Sequence, residues 1–160
     1  MAEEYKLLAE LPWADPETEA ITQIAADAGV PVSHGPEGAP EVSTDEFLIY
    51  GFEPDAVDRT AATQIFGLNS NLTLVFADPV EERVAPGPLA DQMLASARLL
   101  AAVEGARGVL ITDYQSSAVI LSFDDGQVTL NQDWDGWQTR PELLDAFPEP
   151  RTITSLQDRS

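Results

Sequence analysis

The sequence predicts an α+β fold: a single domain over residues 1–160, with a mainly antiparallel or mixed sheet covered by two helices. Three observations point there. The hydrophobic periodicities run in the order strand, helix, strands, helix, strands. A chain of 160 residues has the size of one ordinary domain and can bury a core without covalent staples. No linker or internal repeat divides it.

The elements follow in order. Tyr5, Leu7, Ala9 and Leu11 alternate with Lys6, Leu8 and Glu10, the period of a strand with one buried face. Asp15 can cap a helix, Pro16 suits its first position, Glu17 and Glu19 meet the positive end of its dipole, and Gly29 can close it. Ile21, Ile24, Ala25 and Ala28 share one face of that helix. Residues 30–46 are dense in Pro, Gly and acids and read as a long loop, the segment expected to be most mobile. The run FLIYGF at 47–52 reads as a strand. Residues 60–67 (TAATQIFG) read as another, paired with 71–77 across Leu68, Asn69 and Ser70.

After Asp78 and Pro79, the segment Ala85-Pro86-Gly87-Pro88 leads into a second helix. Leu89, Met93, Leu94, Ala97, Leu100 and Ala101 lie on its buried face, and Gly105 stops it. GVLIT at 108–112 reads as a buried strand. Residues 118–123 and 127–130 form a hairpin around Asp125-Gly126, a pair that readily adopts the positive φ values of a two-residue turn. Two tryptophans follow, then a short helical segment at 141–146. The tail at 148–160 adds an edge strand or stays mobile.

Charge narrows the function. Eight Lys plus Arg against 28 Asp plus Glu give a net charge of -20, and Lys6 is the only lysine. Such a surface repels nucleic-acid phosphates and anionic lipid headgroups, so neither is an expected partner. No apolar run approaches a membrane span, and MAEEYKLLAE lacks the basic-then-apolar pattern of a secretory signal, so a cytoplasmic protein is expected. The absence of cysteine removes thiolate chemistry, disulfides and Cys-based zinc sites, and one histidine, His34, allows at most one imidazole ligand.

The most specific pattern is Asn131, Asp133, Asp135, Gly136 and Glu142, which has the spacing of an EF-hand calcium loop. Its context differs: a hairpin rather than a helix precedes it, Asn stands at the first ligand position and Pro141 sits before the last. A solvated turn accounts for the same spacing. Trp134 and Trp137 flank these acids and read either as core packing or as interface anchors. Asp124 and Asp125 resemble a catalytic carboxylate pair, but such a pair needs one carboxyl buried beside an ionised neighbour, and a turn tip exposes both. Ser116 and Ser117 have no histidine nearby in sequence to activate them, and no glycine-rich phosphate loop is present. No enzyme and no cofactor are expected.

The distribution of charge says more than any single motif. Residues 1–58 hold 14 acids and one base, and residues 108–139 hold Asp113, Asp124, Asp125, Asp133 and Asp135 with no base. Such a field steers a cationic partner toward encounter. A salt-rich cytoplasm or simple solubility would also explain the acidity.

The succession LADQMLASARLLAAVEG, GVLITDYQ, VILSFDDGQVTLN, then Asp133, Asp135, Trp137 and LLDAFPEPRTIT resembles small acidic immunity proteins of bacterial polymorphic toxin systems, the SitI-type families, over residues 88–153. The resemblance implies a protein that binds and neutralises a cognate toxin. Electrostatic pairing would fall to Asp113, Asp124, Asp125, Asp133 and Asp135, with Trp134 and Trp137 as anchors. The alternatives are a calcium-binding or acidic scaffold domain using residues 131–142, an acidic housekeeping protein of a salt-adapted organism, and a small enzyme with carboxylates in a pocket formed by the 30–46 loop. The oligomeric state is left open.

Overall fold

A computed structural model describes residues 4–35, 38–79, 87–112, 119–148 and 151–155. Its centre is one mixed sheet of nine strands in the order β2-β3-β4-β5-β1-β6-β7-β8-β9. These are β1 (Glu4–Glu10), β2 (Ser33–His34), β3 (Pro40–Ser43), β4 (Leu48–Phe52), β5 (Leu72–Ala77), β6 (Arg107–Thr112), β7 (Val119–Asp124), β8 (Gln127–Asn131) and β9 (Thr152–Thr154). Neighbours are antiparallel except for β8 and β9, which run parallel. The α+β expectation holds, and the sheet is mixed because of that last pair.

Helices α1 (Pro16–Ala28) and α3 (Pro88–Ala101) cover one side of the sheet. There Ile21 and Ile24 of α1 and Met93, Leu94 and Leu100 of α3 meet Leu7, Ile49, Leu72, Leu74, Phe76 and Leu110 from alternate strand positions. A short helix α4 (Gly136–Thr139) and a 3-10 turn at Pro141–Ala146 complete this layer, adding Trp137 and Leu143. The sequence signals for α1 act as expected. Asp15 accepts a hydrogen bond from the Thr18 amide, Pro16 occupies the first position and Gly29 closes the far end.

The first correction concerns residues 60–67. They are not a strand but most of a third helix, α2 (Ala56–Phe66). Asp55 caps it through the Asp58 amide at 2.8 Å, and Gly67, at φ 67°, makes the left-handed C-terminal turn that a β-carbon would disfavour. Thr, Ile and Phe imitate a strand locally, but the two caps and the Ala61-Ala62 pair define a helix that lies on the opposite face from α1 and α3. Ala62, Leu68 and Phe66 pack there on Leu8, Val109, Ile111 and Val119. Among the described residues three principal helices, not two, therefore cover the sheet, and β1, its central strand, is covered on both faces rather than one.

The second correction concerns residues 30–46. Within the expected loop, β2 and β3 pair antiparallel, and β3 continues the sheet through β4, with Val42 opposite Ile49 and buried. A two-residue strand carries too little periodicity to show in sequence. The 125–126 turn is as expected, with φ of 48° at Asp125 and 87° at Gly126. Part of the tail forms edge strand β9, and its residues 149–150 and 156–160 lie outside the described residues.

Candidate partner-binding surfaces

The topology divides the predicted acidic site in two. Antiparallel pairing puts Glu10 of β1, Arg107 of β6 and Asp124 of β7 at one end of the sheet. Asp124 and Asp125 sit at that end of β8. Asp133 and Asp135 follow its other end, a strand length of about 15 Å away. One compact partner contact does not take all four side chains as a single cluster. Asp113, Ser116 and Ser117 lie outside the described residues.

At the first end the charge is partly neutralised. The Arg107 guanidinium lies 3.5 Å from Asp124 and 3.6 Å from Glu10, and donates to the Gly67 carbonyl at 3.3 Å. Asp125 accepts a hydrogen bond from the Gly105 amide at 2.9 Å. Both aspartates are exposed, as a turn requires, but each already serves the local structure.

At the second end, buried groups hold a rigid acidic turn. Asn131 is buried; its side-chain amide donates to the Val119 carbonyl at 2.6 Å, and its Oδ1 accepts from the Asp133 amide at 3.1 Å. The Trp137 indole Nε1 donates to the Asn131 carbonyl at 2.9 Å. On the outer side β9 closes the turn: the Gln132 amide donates to the Thr154 carbonyl at 2.8 Å, and the Ser155 hydroxyl donates to Asp133. Asp133 and Asp135 remain exposed on top of this frame.

The tryptophans contradict the anchor expectation. Trp134 and Trp137 are each 6% exposed and belong to the main core, their rings edge to face with centroids 4.8 Å apart. The T-shaped pair supports the acidic turn from below and presents no aromatic surface. Gly136 makes this packing possible: a β-carbon there would stand 2.4 Å from the Trp134 ring.

The calcium spacing does not become a calcium geometry. Asn131 spends its side chain on Val119 and Asp133, and Glu142 binds Arg140 Nε at 3.1 Å. Arg140 also forms a two-pronged contact with Asp91, at 3.0 and 2.9 Å. The Glu142 carboxyl is held below its ordinary pKa by its own backbone amide and by Arg140. Among the described residues no three His, Asp or Glu side chains converge as metal ligands. His34 is exposed on β2 at the sheet edge.

Sequence reading missed one site, a polar cleft of about 490 Å³ on the same end of the sheet as Glu10. Three chain segments build it: the β1–α1 connection and the first turn of α1 bring Trp13 and Glu17, the β4–α2 connection and α2 bring Glu53 and Arg59, and the α2–β5 connection brings Asn69, Ser70 and Asn71. Asn71 locks two of them together, accepting from the Leu11 amide at 3.0 Å and donating to its carbonyl at 2.8 Å. Burial raises the Glu17 pKa above its ordinary value, and the neighbouring carboxylates of Asp15 and Glu53 add to the rise. Arg59 pairs with Glu53 at 2.8 Å. Trp13, isolated in LPWADP, was the one local signal for this cleft. Its polar members come from three separate stretches of sequence, at Glu17, at Glu53 and Arg59, and at Asn69 to Asn71.

Among the described residues no helix is long and apolar enough to cross a membrane. Comparison of the chain with models of protein families, with curated proteins and with solved structures finds no match.

Proposed function

We propose that this protein is a cytoplasmic, non-catalytic inhibitor of the immunity type, which binds a basic toxin domain through the acidic turn at Asp133 and Asp135. The observation that carries the reading is the frame under that turn: Asn131, Trp137 and β9 hold two exposed carboxylates in place without neutralising them. Preorganised charge supports both rapid encounter and a low ordering cost on binding. The corrected tryptophans change their part in this reading. They stiffen the acidic turn from inside, and the partner meets carboxylates rather than rings. Nucleic acid is disfavoured as a direct ligand because the net charge of -20 opposes phosphate.

The test is protection. A toxin domain encoded beside this chain's gene is expected to arrest growth when expressed alone and to be silenced by co-expression of this protein. Reversal of both charges, Asp133→Lys with Asp135→Lys, should abolish protection while leaving thermal unfolding cooperative. Asn131→Ala should weaken it by loosening the frame. Full protection by the double reversal would move the contact elsewhere on the surface. A neighbouring product that is harmless when expressed alone would remove the immunity reading altogether.

A further inference from the structure

We infer that a pocket at the Gly126 end of β8, between the last turn of α3 and Phe147–Pro148, binds a small monocarboxylate that carries one aryl or branched alkyl group. The pocket has a volume of about 220 Å³. Its wall is apolar, built by Ala102 at the end of α3, Val128 of β8, and Phe147 and Pro148 after the 3-10 turn. A cavity of about 150 Å³ accepts benzene, so this one has room for a phenyl group and a short link to its charged end.

The charge beside the pocket selects the ligand. Lys6, Arg59, Arg107 and Arg140 each pair with a carboxylate. Arg98 and Arg151 pair with none among the described residues, in a chain that holds 28 acids. Arg98 is exposed in the last turn of α3 and lines the pocket, and its guanidinium has no acceptor among the described residues. Arg151 donates to the carbonyl of Phe147, a wall residue. β9 runs parallel to β8 with Thr152 beside Thr129, which sets Arg151, one residue earlier, alongside Val128. Two guanidinium groups from separate segments therefore flank one apolar pocket, and neither is neutralised by a described side chain.

The rest of the chain narrows the chemistry. A net charge of -20 repels a free anion, so the apolar wall must contribute to affinity as well as the arginines. A monoanion meets less of that repulsion than a dianionic phosphate, and a planar carboxylate matches two N–H groups of one guanidinium. The pocket stands at the opposite end of β8 from the Asp133 turn, so it neither requires nor repeats the contact proposed there.

The experiment is a titration of the full chain with 3-phenylpropionate at constant ionic strength, followed by the backbone amide signals of Gly126 and Val128 in proton–nitrogen correlation spectra. Saturable movement with a Kd of about 1–5 mM is expected, modest for a ligand of this size. The neutral 3-phenylpropionamide should bind about tenfold more weakly, and Arg98→Gln should weaken binding of the carboxylate about fivefold, because each removes a charged contact. Acetate, which lacks the apolar group, should not saturate over the same range. Ala102→Leu, at an exposed position on the wall, should fill the pocket and block binding while thermal unfolding stays cooperative. Absence of saturable movement, equal binding of the amide, or an undiminished response in Arg98→Gln or in Ala102→Leu would each overturn the assignment. Tighter binding of N-acetylglycylphenylalanine would place the ligand at the end of a protein chain and overturn the small-molecule class. None of these results bears on toxin protection by the Asp133 turn, so the two readings fail separately.

Discussion

The only lysine in the chain, Lys6, points its ammonium at the fully buried carboxylate of Asp58, with Nζ 3.4 Å from Oδ1. Asp58 Oδ2 accepts from Thr73 Oγ1 at 2.9 Å, and the Asp58 backbone amide caps onto Asp55. The three side chains come from β1, α2 and β5. They join α2 to the two central strands beneath it by charge as well as by apolar packing.

Removing the cation should expose the cost of the buried anion. Lys6→Met keeps the apolar stem and is expected to destabilise the fold by about 1–3 kcal/mol, less than for a fully buried pair because Lys6 is partly exposed and Asp58 keeps its bond from Thr73. Adding Asp58→Asn should restore part of that loss by removing the buried charge. Urea denaturation measures both. A change within about 0.5 kcal/mol for Lys6→Met, the range of an ordinary surface substitution, would show that the pair adds no stability.

A second prediction concerns close approach in the sheet. Gly108 faces Phe123 across the β6–β7 pair, and a β-carbon at 108 would stand 2.5 Å from the ring. Phe123 is buried in the main core and has little room to retreat. Gly108→Ala should therefore cost about 1–3 kcal/mol through overpacking. Gly108→Ala with Phe123→Leu should recover part of it. Thermal unfolding of the two variants decides the matter, and a neutral Gly108→Ala would mean that the ring can move.

The third follows from Glu17. Its folded-state pKa is raised, first by burial and then by Asp15 and Glu53. A carboxyl with a raised folded pKa favours the fold most when protonated. Its contribution is full below the unfolded value of about 4.3 and is lost as pH rises through the raised value. Glu17→Gln is therefore expected to raise the melting temperature at pH 7, with the gain vanishing as pH falls below the ordinary glutamate range. Asp15 has the opposite sign. Its pKa is lowered, chiefly by the Thr18 side chain, so its contribution is present above the unfolded value and fades as pH falls through the lowered one. A pH-independent difference between Glu17→Gln and the parent would contradict the assigned cause.

Local pattern sufficed where one residue type meets one local requirement. The caps of α1, the apolar face of α3 and the Asp125-Gly126 turn all answer to neighbours within a few positions, and all fall where the sequence puts them. The same reasoning misread residues 60–67, because β-branched and aromatic residues suit either state until the capping residues and the sheet face beneath them are known. It found the acids of the candidate surface but not their grouping. Asp124 and Asp133 lie nine positions apart in sequence and on opposite ends of a strand in space.

By itself, the sequence determined an acidic, cysteine-free α+β chain with a tight 125–126 turn and a net charge that favours cationic partners. Only the tertiary structure decided the inward packing of Trp134 and Trp137, the clasp of Lys6 on Asp58 and the cleft of Trp13, Glu17 and Ser70. The reason is one of range. Periodicity and capping are properties of consecutive residues, whereas a buried charge pair or a cleft exists only after strand register has brought distant segments side by side.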